Sequence, residues 1–360
     1  MEEREYLEKI LECDLDLSSY ELYIWGTGNT SDLYQEGLKR LEEEGIIING
    51  YFDNNSSKWG KTYGGKSILS PDEVTKINHP LILVSTPRPK IIREIGKQLQ
   101  EKDVPWLSID AYVVLSHKKE ILSVYDLLHD KRSKSVYAEL VRNRIEGNYP
   151  KEEYIDGFDR YFYGPVGDCD AGEVFIDCGA FVGDSFEQYL WKKEGTFKKA
   201  ILIEPDTDNI QAMEHRLSRL KKEWNISDDK IMIYPFGVSD TDSTGYVNRF
   251  DTNNGLGSKL LLESMDGAEE CKTIKIDSLA ESDNLLIKAD IESYEYRMLL
   301  GAKNTVVKHG PKLAVCIYHN SVDFYSIPLL LNEWNSNYKF AVRHYSPNLS
   351  ETILYAYMDY

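Results

Sequence analysis

Long apolar runs are missing from this chain, and so is any excess of basic residues. No apolar stretch approaches the ~20 residues a bilayer crossing needs, and the start Met1-Glu2-Glu3-Arg4-Glu5 is acidic. Neither a membrane span nor a secretory leader is therefore expected. The 360 residues carry 42 Lys and Arg against 60 Asp and Glu, a formal net charge of −18. A nucleic-acid binder would need a basic face, so neither nucleic acid nor an anionic membrane is an expected partner. Cysteine is scarce. Cys13, Cys169, Cys178, Cys271 and Cys316 are scattered and odd in number, with no Cys-x-x-Cys pair. That usage fits a reducing cytoplasm and argues against structural zinc.

What the chain does have is core-forming material: 42% apolar residues, 25 Tyr and 6 Trp. The length suits two domains better than one, because single cores stop growing near ~250–300 residues. The residues arrange themselves accordingly. Glu21-Leu22-Tyr23-Ile24-Trp25 reads as a strand running into Gly26-Thr27-Gly28-Asn29, followed by a helix from about residue 32 to 44. A second strand, 46–52, ends in Asp53. This is a βαβ unit with a glycine turn after its first strand and an acid after its second, so Gly26, Gly28, Asn29 and Asp53 form a candidate nucleotide site. Further strands are expected at 81–84 and 106–109, with a helix between them. Residues 1–112 thus read as a small Rossmann-like α/β domain. It is similar to the nucleotide-sugar-binding N-terminal domains of bacterial sugar acetyltransferases. The alternative is a degenerate domain that only packs or forms a homo-oligomer. Residues 113–172 read as a helical connector, so a fragment starting near Ser116 is expected to fold alone.

The second domain, 173–360, opens on Glu173-Val174-Phe175-Ile176-Asp177-Cys178-Gly179-Ala180-Phe181-Val182-Gly183-Asp184-Ser185. A buried strand empties into a glycine-broken turn, and Asp184 and Ser185 stand where a helix cap is needed. Strand, glycine turn and helix N-terminus together hold nucleotide-like ligands through close backbone approach and free N–H groups. The strand Ala200-Ile201-Leu202-Ile203 then ends in Glu204-Pro205-Asp206, placing Glu204 to accept from two ribose hydroxyls. Residues 230–240 read as the next strand and a loop that brings Gly237 and Val238 to the expected adenine edge. A polar insertion, 241–283, includes Ser258. Strands at 285–290 and 313–319 and a closing pair at 338–344 and 352–357 complete an α/β alternation, which predicts a mostly parallel sheet with one antiparallel strand.

Taken in order, Phe175-Ile176-Asp177-Cys178-Gly179-Ala180, Ile203-Glu204-Pro205, Ile287-Lys288-Ala289-Asp290-Ile291-Glu292-Ser293-Tyr294-Glu295, Leu300-Gly301-Ala302, Ile317-Tyr318-His319-Asn320, Asp323 and Arg343-His344-Tyr345 resemble the FkbM family. These are S-adenosylmethionine-dependent methyltransferases that act on hydroxyls of sugars or polyketides. The resemblance spans about residues 161–357. It implies a class I methyltransferase fold and S-adenosyl-L-methionine as cofactor, with Asp177, Gly179, Ala180, Gly183, Asp184, Glu204, Pro205, Gly237, Val238 and Asp290 around it. The sequence departs from the family's pattern at Ala289 and at Ser293-Tyr294, where an aliphatic residue and Gly-Ala are usual.

The implied chemistry is O-methyl transfer to a sugar or glycoconjugate hydroxyl, with a nucleotide-linked sugar among the candidate acceptors. His319 is the first candidate for general base, because an imidazole pKa of ~6.5 suits proton abstraction near neutrality. Asp290 with Glu292 is the alternative, as a divalent-metal pair. Tyr161, Ser258 and His344 are candidate substrate contacts. Two other functions fit parts of the chain. A non-catalytic nucleotide-sugar scaffold would use both α/β units for binding alone. An NAD-dependent oxidoreductase built on Gly26-Thr27-Gly28 would need a catalytic constellation that the chain does not display.

Overall fold

The structure is a computed structural model that describes residues 3–13, 16–28, 34–157, 160–249, 258–261, 267–280 and 284–358. The chain divides into two compact units: Met1–Asp156 with Tyr318–Leu329 and Arg343–Thr352, and Gly157–Ile317 with Leu330–Val342 and Ile353–Tyr360.

In the first unit, helix α1 (Glu3–Ile10) precedes β1 (Glu21–Trp25), α2 (Gln35–Glu43), β2 (Ile48–Phe52), β3 (Thr62–Tyr63), β4 (Lys66–Leu69), β5 (Pro80–Val84), α3 (Pro89–Gln100) and β6 (Trp106–Ser108). The strands form one sheet in the order β3-β4-β2-β1-β5-β6. All its pairings are parallel except β3 with β4. Trp25, Phe52, Ile82 and Val84 of the sheet pack with Ile92, Ile95 and Leu99 of α3. The i, i+3, i+7 spacing of those helix positions is why α3 lies against the sheet. Gly96 is needed there, because a Cβ would meet the Trp106 ring at 2.1 Å.

Three helices follow: α4 (Ile109–Ser116), α5 (Lys118–Leu127) and α6 (Lys131–Glu146). The first starts before the expected connector because Ser108 ends β6 and at once caps α4, its hydroxyl accepting from Ala111 N–H at 3.0 Å. These helices belong to the first unit, and later segments are built into the same unit. Arg40 pairs with the fully buried Asp323, and the Ser321 hydroxyl donates to Asp110. Tyr137 stacks on Phe324 at 4.3 Å, while Arg343 reaches Ser133 at 2.7 Å and Asp130 at 3.2 Å.

The second unit contains β7 (Val174–Cys178), α7 (Asp184–Lys192), β8 (Lys199–Ile203), α8 (Thr207–Glu223), β9 (Ile231–Tyr234), β14 (Leu285–Ala289), α9 (Glu295–Leu300), α10 (Lys303–His309) and β15 (Lys312–Cys316). Helix α11 (Asp323–Trp334) and strands β16 (Lys339–His344) and β17 (Thr352–Tyr357) close the chain. The seven-stranded sheet has the order β16-β17-β15-β14-β7-β8-β9. Strands β14, β15, β7, β8 and β9 run parallel, and β17 runs antiparallel to β15. This is the expected class I methyltransferase-type sheet. The chain starts at the centre with β7, builds outward to β9, and returns to β14 on the other side. The turns after β7 and β14 therefore diverge at a switch point, the position where open α/β sheets bind ligands.

The strand and loop expected over 230–240 are two strands in two sheets. Tyr234 ends β9, and after Pro235 the chain enters β10 (Phe236–Val238), which pairs with β13 (Glu269–Ile274). With β11 (Thr244–Arg249) and β12 (Ser258–Leu261) these make a separate sheet, β10-β13-β11-β12.

Candidate active site

The site of the second unit is set by register. Ala289 pairs with Cys178, and Cys178 with Ile203, so β14, β7 and β8 end at one level. Asp290, Gly179 and Glu204 each leave the sheet just there. Gly179 takes φ +75, and a Cβ on it would meet the Asp290 carbonyl oxygen at 2.1 Å, so only glycine lets the two turns touch. The N–H groups of Gly179 and Ala180 both donate to Ile203 O at 3.0 Å, which folds the turn back toward β8.

Glu204 is buried and accepts from three protein donors. Phe181 N–H reaches Oε2 at 3.0 Å, while Asp206 N–H and the Asn209 side-chain amide reach Oε1 at 3.0 and 3.2 Å. Burial raises its pKa above the usual carboxylate range, against the pull of these donors. Pro205 is half-buried beside it. Asp206 caps α8, and Arg249 clamps it with contacts of 2.8 and 3.2 Å.

Asp177 is completely enclosed and supports the turn from beneath. Its partners are the Ser185 hydroxyl and Lys288, whose ammonium lies 3.0 Å from Oδ1. The same ammonium donates to Gly179 O at 2.7 Å. Burial works against the charge of Lys288, but the carboxylates of Asp177 and Asp290 hold its pKa above the ordinary lysine value. Neither Asp184 nor Ser185 is the helix cap: Gly183, at φ +78, holds that position, Asp184 enters the first turn, and Ser185 turns to Asp177.

Asp290 accepts the Tyr161 hydroxyl at 2.6 Å, and Lys288 sits 5.1 Å from the Tyr161 ring centroid. Asp290 thus accepts from a phenol O–H and adds to the negative charge around the Lys288 ammonium. Glu292 and Ser293 form a left-handed turn, φ 53 and 80, after which Glu295 reaches back to Ile291 N–H at 2.9 Å. Gly237 and Val238 lie in β10, and the missing Cβ of Gly237 makes room for the Leu260 side chain. Ser258 begins β12, but its side chain lies outside the described residues.

His319 and His344 belong to the first unit. Strand β15 stops at Cys316, so His319 follows it in a loop instead of ending the strand. It is buried. His344 is fully buried, with Nδ1 at 2.9 Å from the Thr352 hydroxyl. Burial, reinforced by the charge of Arg144, pushes its pKa down to about 4. That makes it a neutral imidazole at physiological pH.

A cavity of about 250 Å³ lies at the switch point of the first unit's sheet, lined by Gly26, Thr27, Gly28, Asp53, Lys58 and Ser85 among others. Asn29 lies outside the described residues. Asp53 does not face this cavity as a free ribose acceptor. Thr27 donates its N–H at 3.1 Å and its hydroxyl, Asn55 N–H binds at 2.8 Å, and Lys58 at 3.0 Å. Burial pushes up the pKa of Asp53, but these donors outweigh it and hold the carboxylate below its usual range. The acid ties the turns after β1 and β2 together.

Sequence reading missed Lys288, Phe181 and Arg249 as parts of the site. For Lys288 the signal was present: a single lysine inside the apolar run Leu285-Leu286-Ile287-Lys288-Ala289 requires a buried anion.

Residues 177–340 match the family model described as Methyltransferase FkbM domain, and residues 18–110 match the model described as C2185-like, N-terminal. The crystal structure of methyltransferase FkbM from Methylobacillus flagellatus KT is 19% identical, covers 94% of this chain and 90% of its own, and superposes with a TM-score of 0.56. An rRNA methylase from Streptococcus thermophilus, 11% identical, covers 53% of this chain and 91% of its own with a TM-score of 0.32. A precorrin-6y C5,15-methyltransferase from Geobacter metallireducens, 9% identical, covers 58% and 97% with a TM-score of 0.31. No curated protein matches the sequence. Among the described residues no helix is long and apolar enough to cross a membrane. The first of these solved structures shares the fold, and the match of residues 177–340, which span the strand ends just described, to an FkbM methyltransferase domain supports methyltransferase activity.

Proposed function

We propose that the chain transfers a methyl group from S-adenosyl-L-methionine to a hydroxyl oxygen of a sugar or glycoconjugate. The observation that carries this reading is the pair of strand ends β7 and β8, where the Phe181 N–H and Glu204 are locked together at 3.0 Å in a glycine turn. When bound, the cofactor supplies an electrophilic methyl on a sulfonium. Glu204 takes the ribose with the acceptor capacity its three donors leave, and the turn 179–183 approaches the methionyl part through the backbone at its two glycines. Lys288 and Asp177 keep that turn in place. Much of the rate then comes from holding the hydroxyl in line with the methyl group.

The hydroxyl's proton needs an acceptor. We assign it to His319, with Asp290 oriented by Tyr161 as the group that tunes the charge at the end of β14. The N-terminal cavity is assigned to a nucleotide-like ligand of its own, with Asp53 shaping its wall.

Incubation with methyl-labelled S-adenosyl-L-methionine and a panel of monosaccharides, glycoconjugates and nucleotide-sugars tests the reading, with product analysis for methyl ethers. His319→Ala should lower turnover by ~10²–10⁴-fold while S-adenosylhomocysteine affinity stays unchanged. Activity should survive EDTA. A chelator-sensitive enzyme whose His319→Ala variant keeps near-native turnover defeats the base assignment. Label transfer to none of the hydroxyl acceptors defeats the substrate class.

A further inference from the structure

Nine non-glycine residues among the described ones take positive φ, and Tyr161, Phe181, Glu292 and Ser293 are four of them. All four border the ends of β7 and β14. Phe181 stands out within this group. An aromatic residue rarely adopts the left-handed region, because its Cβ crowds the neighbouring carbonyl. Here Phe181 takes φ 46 between two glycines, Gly179 and Gly183, that occupy the same region without strain. It gains no burial by doing so: the side chain is 47% exposed, in contrast to Ala180 before it at 0%. Packing within the described protein therefore does not explain why a bulky apolar side chain is held in this conformation. Its backbone is nonetheless fixed, through the N–H that binds Glu204 Oε2.

Strain of this kind persists where it serves a ligand. We propose that Phe181 is a cofactor-contact residue: its ring packs on the adenosyl group whose ribose is held by Glu204. This rests on the cofactor reading above and adds to it a side chain that no glycine-turn pattern would point to. The ring would become buried only in the complex, so its apolar surface contributes to affinity and not to folding. The strained backbone aims the ring while the N–H orients the acid.

The two roles separate by substitution. Phe181→Gly removes both the ring and the strain, while Phe181→Ala removes the ring and leaves a Cβ in the left-handed region. Calorimetry and thermal unfolding, with and without S-adenosylhomocysteine, read both roles on the full chain. Without ligand, Phe181→Gly should melt higher than the native protein and higher than Phe181→Ala. Both variants should bind S-adenosylhomocysteine about tenfold more weakly. Native affinity in both variants overturns the inference and leaves the cofactor reading intact. A lower melting temperature for Phe181→Gly than for Phe181→Ala overturns the strain argument. A native protein that ignores S-adenosylhomocysteine overturns this inference together with the reading it rests on.

Discussion

Replacing Lys288 with Met tests how the glycine turn is supported. The ammonium is nearly inaccessible, at 3% side-chain exposure, and its partner Asp177 is at 0%. Methionine keeps the length and apolar packing of the stem but deletes the charge and three contacts: Asp177 Oδ1 at 3.0 Å, Gly179 O at 2.7 Å and Cys178 O at 3.4 Å. The Cys178 carbonyl keeps another donor, Asp290 N–H at 3.2 Å, so its loss counts for little. Asp177 retains only the Ser185 hydroxyl. Removing one member of a buried pair costs about 3–5 kcal/mol, because the survivor is left charged without compensation. A cost of that size is a large part of the roughly 5–15 kcal/mol that stabilises a typical domain. Urea unfolding followed by far-UV circular dichroism should therefore show a much lower midpoint for Lys288→Met. Asp177→Asn combined with Lys288→Met removes both charges and should recover at least ~2 kcal/mol of the loss. A single variant that loses under ~1 kcal/mol, or a double variant less stable than the single one, refutes the view that this pair holds the turn.

Two further outcomes follow from the first unit. His344 has its pKa depressed from 6.5 to about 4, so its contribution is fully present above pH ~6.5 and is lost as pH falls toward 4. Between pH 7 and 5 the native protein should lose about 2 kcal/mol more than His344→Asn, measured by urea unfolding at both pH values; equal losses would show that His344 is not the group titrating. A fragment starting at residue 116 should be insoluble while the whole chain is soluble, because it lacks Arg40 and Asp110, the partners of buried Asp323 and Ser321. A soluble, cooperatively melting fragment would show those contacts to be dispensable.

The elements around the site were legible where short-range spacing decides them. The apolar run 174–178, the glycines at 179 and 183 and the acid at 204 predict strand, turn and strand end, and each is found there. The closing strands likewise predicted an antiparallel member. What escaped the sequence depends on partners far apart in the chain. Asp177 reads as a ligand-facing acid until Lys288, more than a hundred residues later, is seen to enclose it. Asp53 reads as a ribose acid until Thr27 and Lys58 are seen to consume it. Gly237 reads as a ligand-edge glycine, and its role is to admit Leu260. Residues 230–240 read as a strand and a loop, because local propensity cannot tell that the chain after Pro235 enters a second sheet. Backbone strain such as that of Phe181 leaves no trace in composition or spacing at all.

The most direct test of the account is titration of the purified full chain with S-adenosylhomocysteine, with NAD as the comparison ligand. The account predicts saturable binding of S-adenosylhomocysteine, none of NAD, and a loss of about 1.5–3 kcal/mol in affinity for a folded Glu204→Gln variant, the range for a hydrogen bond to a charged group. Absence of S-adenosylhomocysteine binding, or native affinity in Glu204→Gln, would contradict it.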